Sequence, residues 1–293
     1  MSTRLTDTQR DELRQQDRDR LQLAIRELQN TDGWRAWLRA RARLHSYSLR
    51  NTLLIAMQAA HQGFEPTHVA GFKTWLMLGR CVRRGEKGLR ILAPIIVKSH
   101  DADADENAGE RPRYFRATHV FDISQTDPLP DRDPPPLELA REPLHGDSHA
   151  HLLPALQGLA TQLGFSVTYE PQPRADGTCD RADRRIRIRQ ELAANGRVAT
   201  LIHELAHALI DPALNLSRPL EEVVVEAVAY IVCAGAGLDT GCDSVPYIAS
   251  WGAEDAAEQV AETSRLIDGL ARRIEESLST SLAASPALVT DAA

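Results

Sequence analysis

The sequence predicts an α+β protein of two domains, and three observations predict it. The chain has 293 residues, above the roughly 100–200 of one ordinary domain, and 43% of them are hydrophobic, enough for two cores. Charge divides the chain. From Trp34 to Lys98 there are twelve Lys and Arg against two acids (Glu65, Glu86), a local +10, which leaves −17 elsewhere in a chain whose total is −7. One part suits a polyanion and the other does not. Finally, the stretch from Thr126 to Pro143 is rich in Pro and Asp, and Asp133-Pro134-Pro135-Pro136 continues neither a helix nor a central strand. It reads as a linker, with a first domain over 1–125, the linker over 126–147, a second domain over 148–280 and a disordered tail over 281–293.

The elements follow in order. Residues 5–30 read as a polar amphipathic helix with Leu13, Leu21, Ile25 and Leu28 along one side. Trp34, Trp37, Leu38, Leu44 and Leu49 to Met57 continue a helical rhythm that breaks at His61-Gln62-Gly63. Phe72, Trp75 and Leu76 predict a short helix ending at Gly79. Val82, the turn Gly85-Glu86-Lys87-Gly88 and the apolar run Ile91 to Val97 read as a hairpin. An acidic loop, Asp101 to Pro112, leads to a returning strand from Tyr114 to Ile123. The first domain is therefore mixed α and β. In the second, a helix from His149 to Gly164 precedes two strands, Phe165 to Tyr169 and Arg185 to Arg189, and helices follow over 191–210, 219–236 and 254–278.

The chemistry concentrates on one of these helices. His203 and His207 stand four residues apart, so they project from one face and can chelate a single ion. Glu204 sits beside them, placed to act as general base on a water at that ion. Catalytic zinc usually keeps three protein ligands and one open position, so a third is needed. The next helix offers Glu221-Glu222-Val223-Val224-Val225-Glu226-Ala227. Glu222 and Glu226 share a face, and Glu221 does not. Glu226 is taken as the ligand, with Glu222 as a partner behind a histidine or the alternative ligand. Tyr230, in phase with Glu226, reads either as an oxyanion donor or as a structural tyrosine. The histidines His145, His149 and His151 read as solvated, and Cys233 as core.

The basic segment carries Lys73, Trp75, Arg80, Arg83, Arg84, Lys87 and Arg90, after Tyr47, Arg50 and Asn51. Cations track phosphates and aromatics such as Tyr47 and Trp75 stack on bases, which suits a single-stranded nucleic-acid platform. A solvated basic face over a tryptophan core is the competing reading. The four cysteines are scattered without a Cys-x-x-Cys pair, the first twenty residues lack the apolar core of a signal peptide, and no run reaches the roughly eighteen apolar residues of a membrane span. A soluble, cytoplasmic protein is expected, without membrane partners.

Two resemblances cover roughly residues 30–250. Ala199 to Ile210, followed by Glu222-x-x-x-Glu226-Ala227-x-Ala229-Tyr230, resembles the ImmA/IrrE-type metallopeptidases, a gluzincin-like group. That resemblance implies a small sheet whose edge strand, here Arg185 to Arg189, precedes the zinc helix and accepts a substrate segment as an added strand. Arg184, Arg185, Arg187 and Arg189 there fit either acidic substrates or edge protection. Ser48-Leu49-Arg50-Asn51-x-Leu53-Leu54-Ile55, Val69-Ala70-Gly71-Phe72-Lys73-Thr74-Trp75, Val82 to Gly88 and Val120-Phe121-Asp122-Ile123-x-Gln125-Thr126 resemble the N-terminal domain of ArdC-type antirestriction proteins. That resemblance implies binding of single-stranded DNA. Together they imply a zinc peptidase associated with DNA, with Zn2+ on His203, His207 and Glu226, Glu204 as base and an unidentified protein as substrate. The alternative is a non-enzymatic single-strand-binding protein with a structural zinc centre.

Overall fold

The computed structural model describes residues 31–44, 46–95, 114–130, 132, 142–173, 175–240 and 256–284, with isolated positions between Glu12 and Leu28. The expected helix over 5–30 lies largely outside the described residues, as do the acidic loop and the Pro run. The fold is mixed α and β and forms two compact units: residues 1–24 with 46–137, and residues 25–45 with 138–293. The division differs from the contiguous 1–125 domain expected, because residues 25–45 cluster with the second unit.

In the first unit, helix α2 (Leu49–His61) is capped by Ser48, which accepts from the Asn51 amide. Strand β1 (Val69–Gly71), short helix α3 (Phe72–Met77) and strands β2 (Arg80–Val82), β3 (Leu89–Ile95), β4 (Tyr114–Asp122) and β5 (Thr126–Pro128) follow. The sheet order is β1-β4-β3, all antiparallel, and β2 pairs separately with β5. The expected hairpin between Val82 and Ile91 therefore does not form. Strand β3 turns back on β4, with Leu89 opposite Val120 and Ile95 opposite Tyr114. Thr126 to Pro128 is a ladder strand of this unit and not linker.

Edge strand β3 is closed by side chains rather than by another strand. Asn51 donates to the Leu92 carbonyl at 2.9 Å and accepts from the Leu92 amide at 3.0 Å. Gln58, two helical turns on, does the same at Arg90, at 2.9 Å both ways. One face of α2 thus imitates a neighbouring strand and removes an edge that would otherwise invite pairing. Asp122, fully buried, accepts from the amides of Thr67 and Ser124, and Gln125 ties the 83–88 loop through the Lys87 carbonyl.

In the second unit, helix α1 (Thr31–Arg43) buries Trp34, Trp37 and Leu38. Its Arg41, also fully buried, meets Asp268 at 2.5 Å and both Glu275 oxygens at 3.0–3.1 Å on helix α7 (Ala256–Ala284). Strand β6 (Glu142–Pro143) pairs parallel with β10 (Leu238–Asp239). Helix α4 (Leu153–Gln162) precedes strands β7 (Ser166–Glu170), β8 (Gly177–Asp180) and β9 (Arg185–Arg189), in sheet order β7-β9-β8. Helices α5 (Ala194–Leu209) and α6 (Arg218–Gly235) pack on each other, and α5 also packs on β8. Helix α7 runs to Ala284, so the first four residues of the expected tail continue a helix. Among the described residues no helix is long and apolar enough to cross a membrane.

Strand β9 is the centre of its sheet and not the edge the sequence suggested. The alternation Arg-Ile-Arg-Ile-Arg explains why: Ile186 and Ile188 are fully buried, while Arg187 and Arg189 cross to Glu170 (3.3 Å) and Asp176 (3.1 Å) on the other face. These arginines neutralise neighbouring acids. Among the described residues the edges of this sheet are β7 and β8.

Candidate functional site

Helix α5 carries the His-Glu-x-x-His pentapeptide in about its last two turns. Val198, Leu201, Ile202, Leu205 and Ala206 are buried around it, which fixes the histidine face toward α6. Helix α6 is buried along Val223 to Cys233 apart from Glu226, and it presents Glu221, Glu222 and Glu226 to that face.

The carboxylate that converges with the histidines is Glu222. His203, His207 and Glu222 each offer a donor atom, all within 4.8 Å of one another. The Glu222 Oε2 lies 3.6 Å from His207 Nε2 and 4.0 Å from His203 Nε2. Metal–donor distances of about 2.0–2.2 Å at a tetrahedral angle put donors about 3.3–3.6 Å apart, so the spacing fits an ion with little closure. Glu226, the ligand inferred from the sequence, lies instead 3.6 Å from His203 Nδ1, on the far side of that ring. It is therefore Glu222, one turn nearer the N-terminus of α6, whose donor atom clusters with those of both histidines. Sequence reading also set Glu221 aside, yet its Oε1 is 2.7 Å from His207 Nδ1. It sits beside Glu222 at a helix start, and two adjacent carboxylates can straddle one imidazole. No periodicity shows that.

The electrostatics agree with a cation site. Burial, then the neighbouring His207, push the His203 imidazole down to about 4, so it is neutral at physiological pH, the form that ligates. Burial, then the Glu222 charge, push Glu204 up to about 8. Burial raises Glu226 as well, followed by Glu222. For Glu221 burial acts upward, but hydrogen bonds from Arg181 and His207 outweigh it and hold the carboxyl below its usual range. A cavity of about 370 Å³ opens onto His203, Glu204, Glu226, Tyr230 and Gly177. Gly177 is there by necessity. A Cβ at that position would stand 2.5 Å from Thr200 Cγ2 and 2.7 Å from Glu204 Oε1. Strand β8, absent from the sequence reading because it is four residues long and begins on glycine, thus lies directly along the glutamate.

The residues expected to touch DNA divide in two. Trp75 is buried, with its Nε1 donating to the Phe121 carbonyl at 2.9 Å, so its ring is unavailable for stacking. Tyr47 donates to the Val69 carbonyl, and Asn51 closes the sheet edge. Arg80 bonds Thr126, and Arg83 bonds Glu86, Asp127 and the Ser124 carbonyl. Arg90 is half-buried on β3. Arg50, Lys73, Arg84 and Lys87 are exposed. The exposed apolar residues of this unit include Phe72 (47%), Leu76 and Met77, all on α3 beside Lys73. Of the three histidines expected to be solvated, His149 is not simply so, since its Nε2 lies 2.8 Å from the Ala236 carbonyl at the end of α6.

These features define an α+β protein with a His-His-Glu donor group in one unit and a basic, strand-rich segment in the other. Residues 16–121 match the family model described as the N-terminal domain of anti-restriction factor ArdC. An uncharacterized protein of Bacillus anthracis is 27% identical over 248 residues, 72% of this chain and 41% of its own length. The chain thus spans less than half of that relative. Two crystal structures of the antirestriction protein ArdC from the R388 plasmid are also similar. The metal-free form is 21% identical, covers 80% of this chain and 84% of its own, and superposes with a TM-score of 0.47. The Mn(II)-bound form is 22% identical, covers 81% and 89%, and has a TM-score of 0.45.

Proposed function

We propose that the chain is a DNA-associated metallopeptidase of antirestriction type. The observation that carries the second half is the convergence of donor atoms from His203, His207 and Glu222, with the cavity wall next to it formed by His203 and the Glu204 carboxyl. In this reading His203, His207 and Glu222 hold a divalent ion, with zinc the proposed species, and Glu226 backs His203. The group has three members among the described residues, which leaves a position open for substrate, whereas structural zinc sites are closed by four protein donors. The ion supplies Lewis acidity, activating a water and polarising a carbonyl.

The chain's own residues do the rest. Glu204 takes the proton from the attacking water and returns one to the departing amine. Its place directly after His203 and on the cavity wall supports that role. Gly177 lets the backbone of β8 pass close to that carboxyl. Tyr230, buried on the cavity wall, is proposed to donate to the substrate carbonyl.

The first unit is proposed to bind single-stranded DNA, with Arg50, Lys73, Arg84 and Lys87 on phosphates and Phe72 in place of the buried Trp75 as the stacking ring. The family match over 16–121 supports a DNA-related role. Glu204→Gln is the test, with ion content, DNA binding and cleavage of candidate partners measured together. Retained ion and DNA with lost proteolysis is the expected result. If the wild type cleaves no candidate and the variant replaces it fully in cells, the centre is not catalytic.

A further inference from the structure

We propose that Arg181 and Glu221 form a positioning pair that holds the His207 imidazole so that its Nε2 faces the ion. The proposal rests on the metal-centre reading above and concerns residues that do not touch the ion. A carboxylate only accepts hydrogen bonds, so the 2.7 Å contact between Glu221 Oε1 and His207 Nδ1 places the ring proton on Nδ1. The Nε2 lone pair is then free, and it is the nitrogen 3.6 Å from Glu222. Such a partner fixes both the tautomer and the ring plane of a ligating histidine.

Glu221 is itself held. The Arg181 Nη2 donates to the same Oε1 at 2.7 Å and to the His207 carbonyl at 2.6 Å, and its Nε donates to that carbonyl at 3.0 Å. The carbonyl of residue 207 lies in the last turn of α5, where no amide further along the helix can reach it. A guanidinium there satisfies the oxygen and places a cation at the negative end of the helix. Arg181 directly follows β8, whose Gly177 lies against Glu204. One strand therefore aligns both ends of the pentapeptide: glycine by clearance at the base, arginine by hydrogen bonds at the ligand. His203 has a looser counterpart in Glu226, at 3.6 Å. The two histidines are thus unequally held, and the pair acts on His207.

The test compares wild type with Glu221→Ala, Glu221→Gln, Arg181→Ala and the Arg181→Ala/Glu221→Ala double variant. Each full-length protein is freed of metal and titrated with Zn2+ and Mn2+ by calorimetry and with Co2+ by its visible spectrum. Glu221→Ala is expected to weaken ion binding about ten- to a hundredfold and to alter the cobalt bands. Glu221→Gln, which keeps an oxygen acceptor for Nδ1–H, recovers part of the loss. Arg181→Ala loses less, and the double variant loses no more than Glu221→Ala, because both act through one ring. Wild-type affinity and spectrum in Glu221→Ala, or losses that add in the double variant, overturn the proposal. If Glu221→Ala does not fold, the Gln variant and Arg181→Ala decide it by the same measures. A wild-type protein that takes up none of the three ions overturns the metal-centre reading itself.

Discussion

The two units place their polar side chains to opposite ends. In the second, Glu221, Glu222 and Glu226 gather around His203 and His207, and burial shifts the proton affinities of His203, Glu204 and Glu226. In the first, Asn51, Gln58, Asp122 and Gln125 are turned inward as backbone partners, and several cations are tied to neighbours. Several residues that carry the ArdC resemblance fall in this inward group. The comparison teaches that a family signature can encode a closed sheet edge and a capped turn as readily as a binding surface. The exposed residues within the same stretches, Arg50, Lys73, Arg84 and Lys87, are then the better place to look for ligand contacts.

The sharpest way to break the contrast is at the cavity. His203→Ala or His207→Ala is expected to abolish ion uptake, read by metal analysis after dialysis. Retained stoichiometric ion would mean that the donor group lies elsewhere. Glu204→Gln should keep the ion and lower any peptide cleavage about 10²–10⁴-fold, read as kcat. Gly177→Ala should destabilise the second unit by about 1–3 kcal/mol through the clash with Thr200 and Glu204, measured by urea unfolding. Unchanged unfolding would show that β8 has room to move.

A pH measurement sharpens the same contrast. The carboxyl of Glu204 is raised in the folded protein from the ordinary range to about 8. Below pH 4.5 both states hold the proton and nothing is lost. As pH rises to about 8, the unfolded chain ionises first, so the metal-free protein is expected to lose stability across that window. The shift corresponds to a loss on the order of 3–5 kcal/mol. His203, lowered to about 4, acts oppositely below pH 6.5, adding stability as pH rises from 4. Glu204→Gln should remove the alkaline-side loss. A thermal midpoint that falls equally in both proteins would assign the loss to another group.

The smallest effects are expected in the first unit. Asn51→Ala leaves the Leu92 amide and carbonyl without partners, which costs about 1–3 kcal/mol, and should leave the affinity of folded protein for a DNA strand unchanged. Removing the charges of Lys73, Arg84 and Lys87 together should do the reverse: little change in unfolding, but weaker DNA binding and a salt slope shallower by about 2. Equal salt slopes would end the nucleic-acid assignment for these cations.

Much of this was legible in the chain. Helix and strand periods located nearly every long element, and the His203-Glu204-x-x-His207 spacing placed two donors and a base on one face, because that relation is internal to a single helix. The α+β composition followed from the same local rules. What depends on how elements cross was not legible. Which glutamate of α6 meets the histidines is set by the crossing of two helices, and a shift of one turn exchanges Glu222 with Glu226. Whether Arg185 to Arg189 is edge or centre turned on β8, a strand too short for a periodic signal. Whether Trp75 stacks on a base or fills a core turned on β4 passing over it. The sequence therefore determined the chemistry that each helix could present, since side-chain direction along one element is a matter of period. Tertiary packing alone decided which groups meet, because contacts between elements depend on angles and registers that no single segment contains.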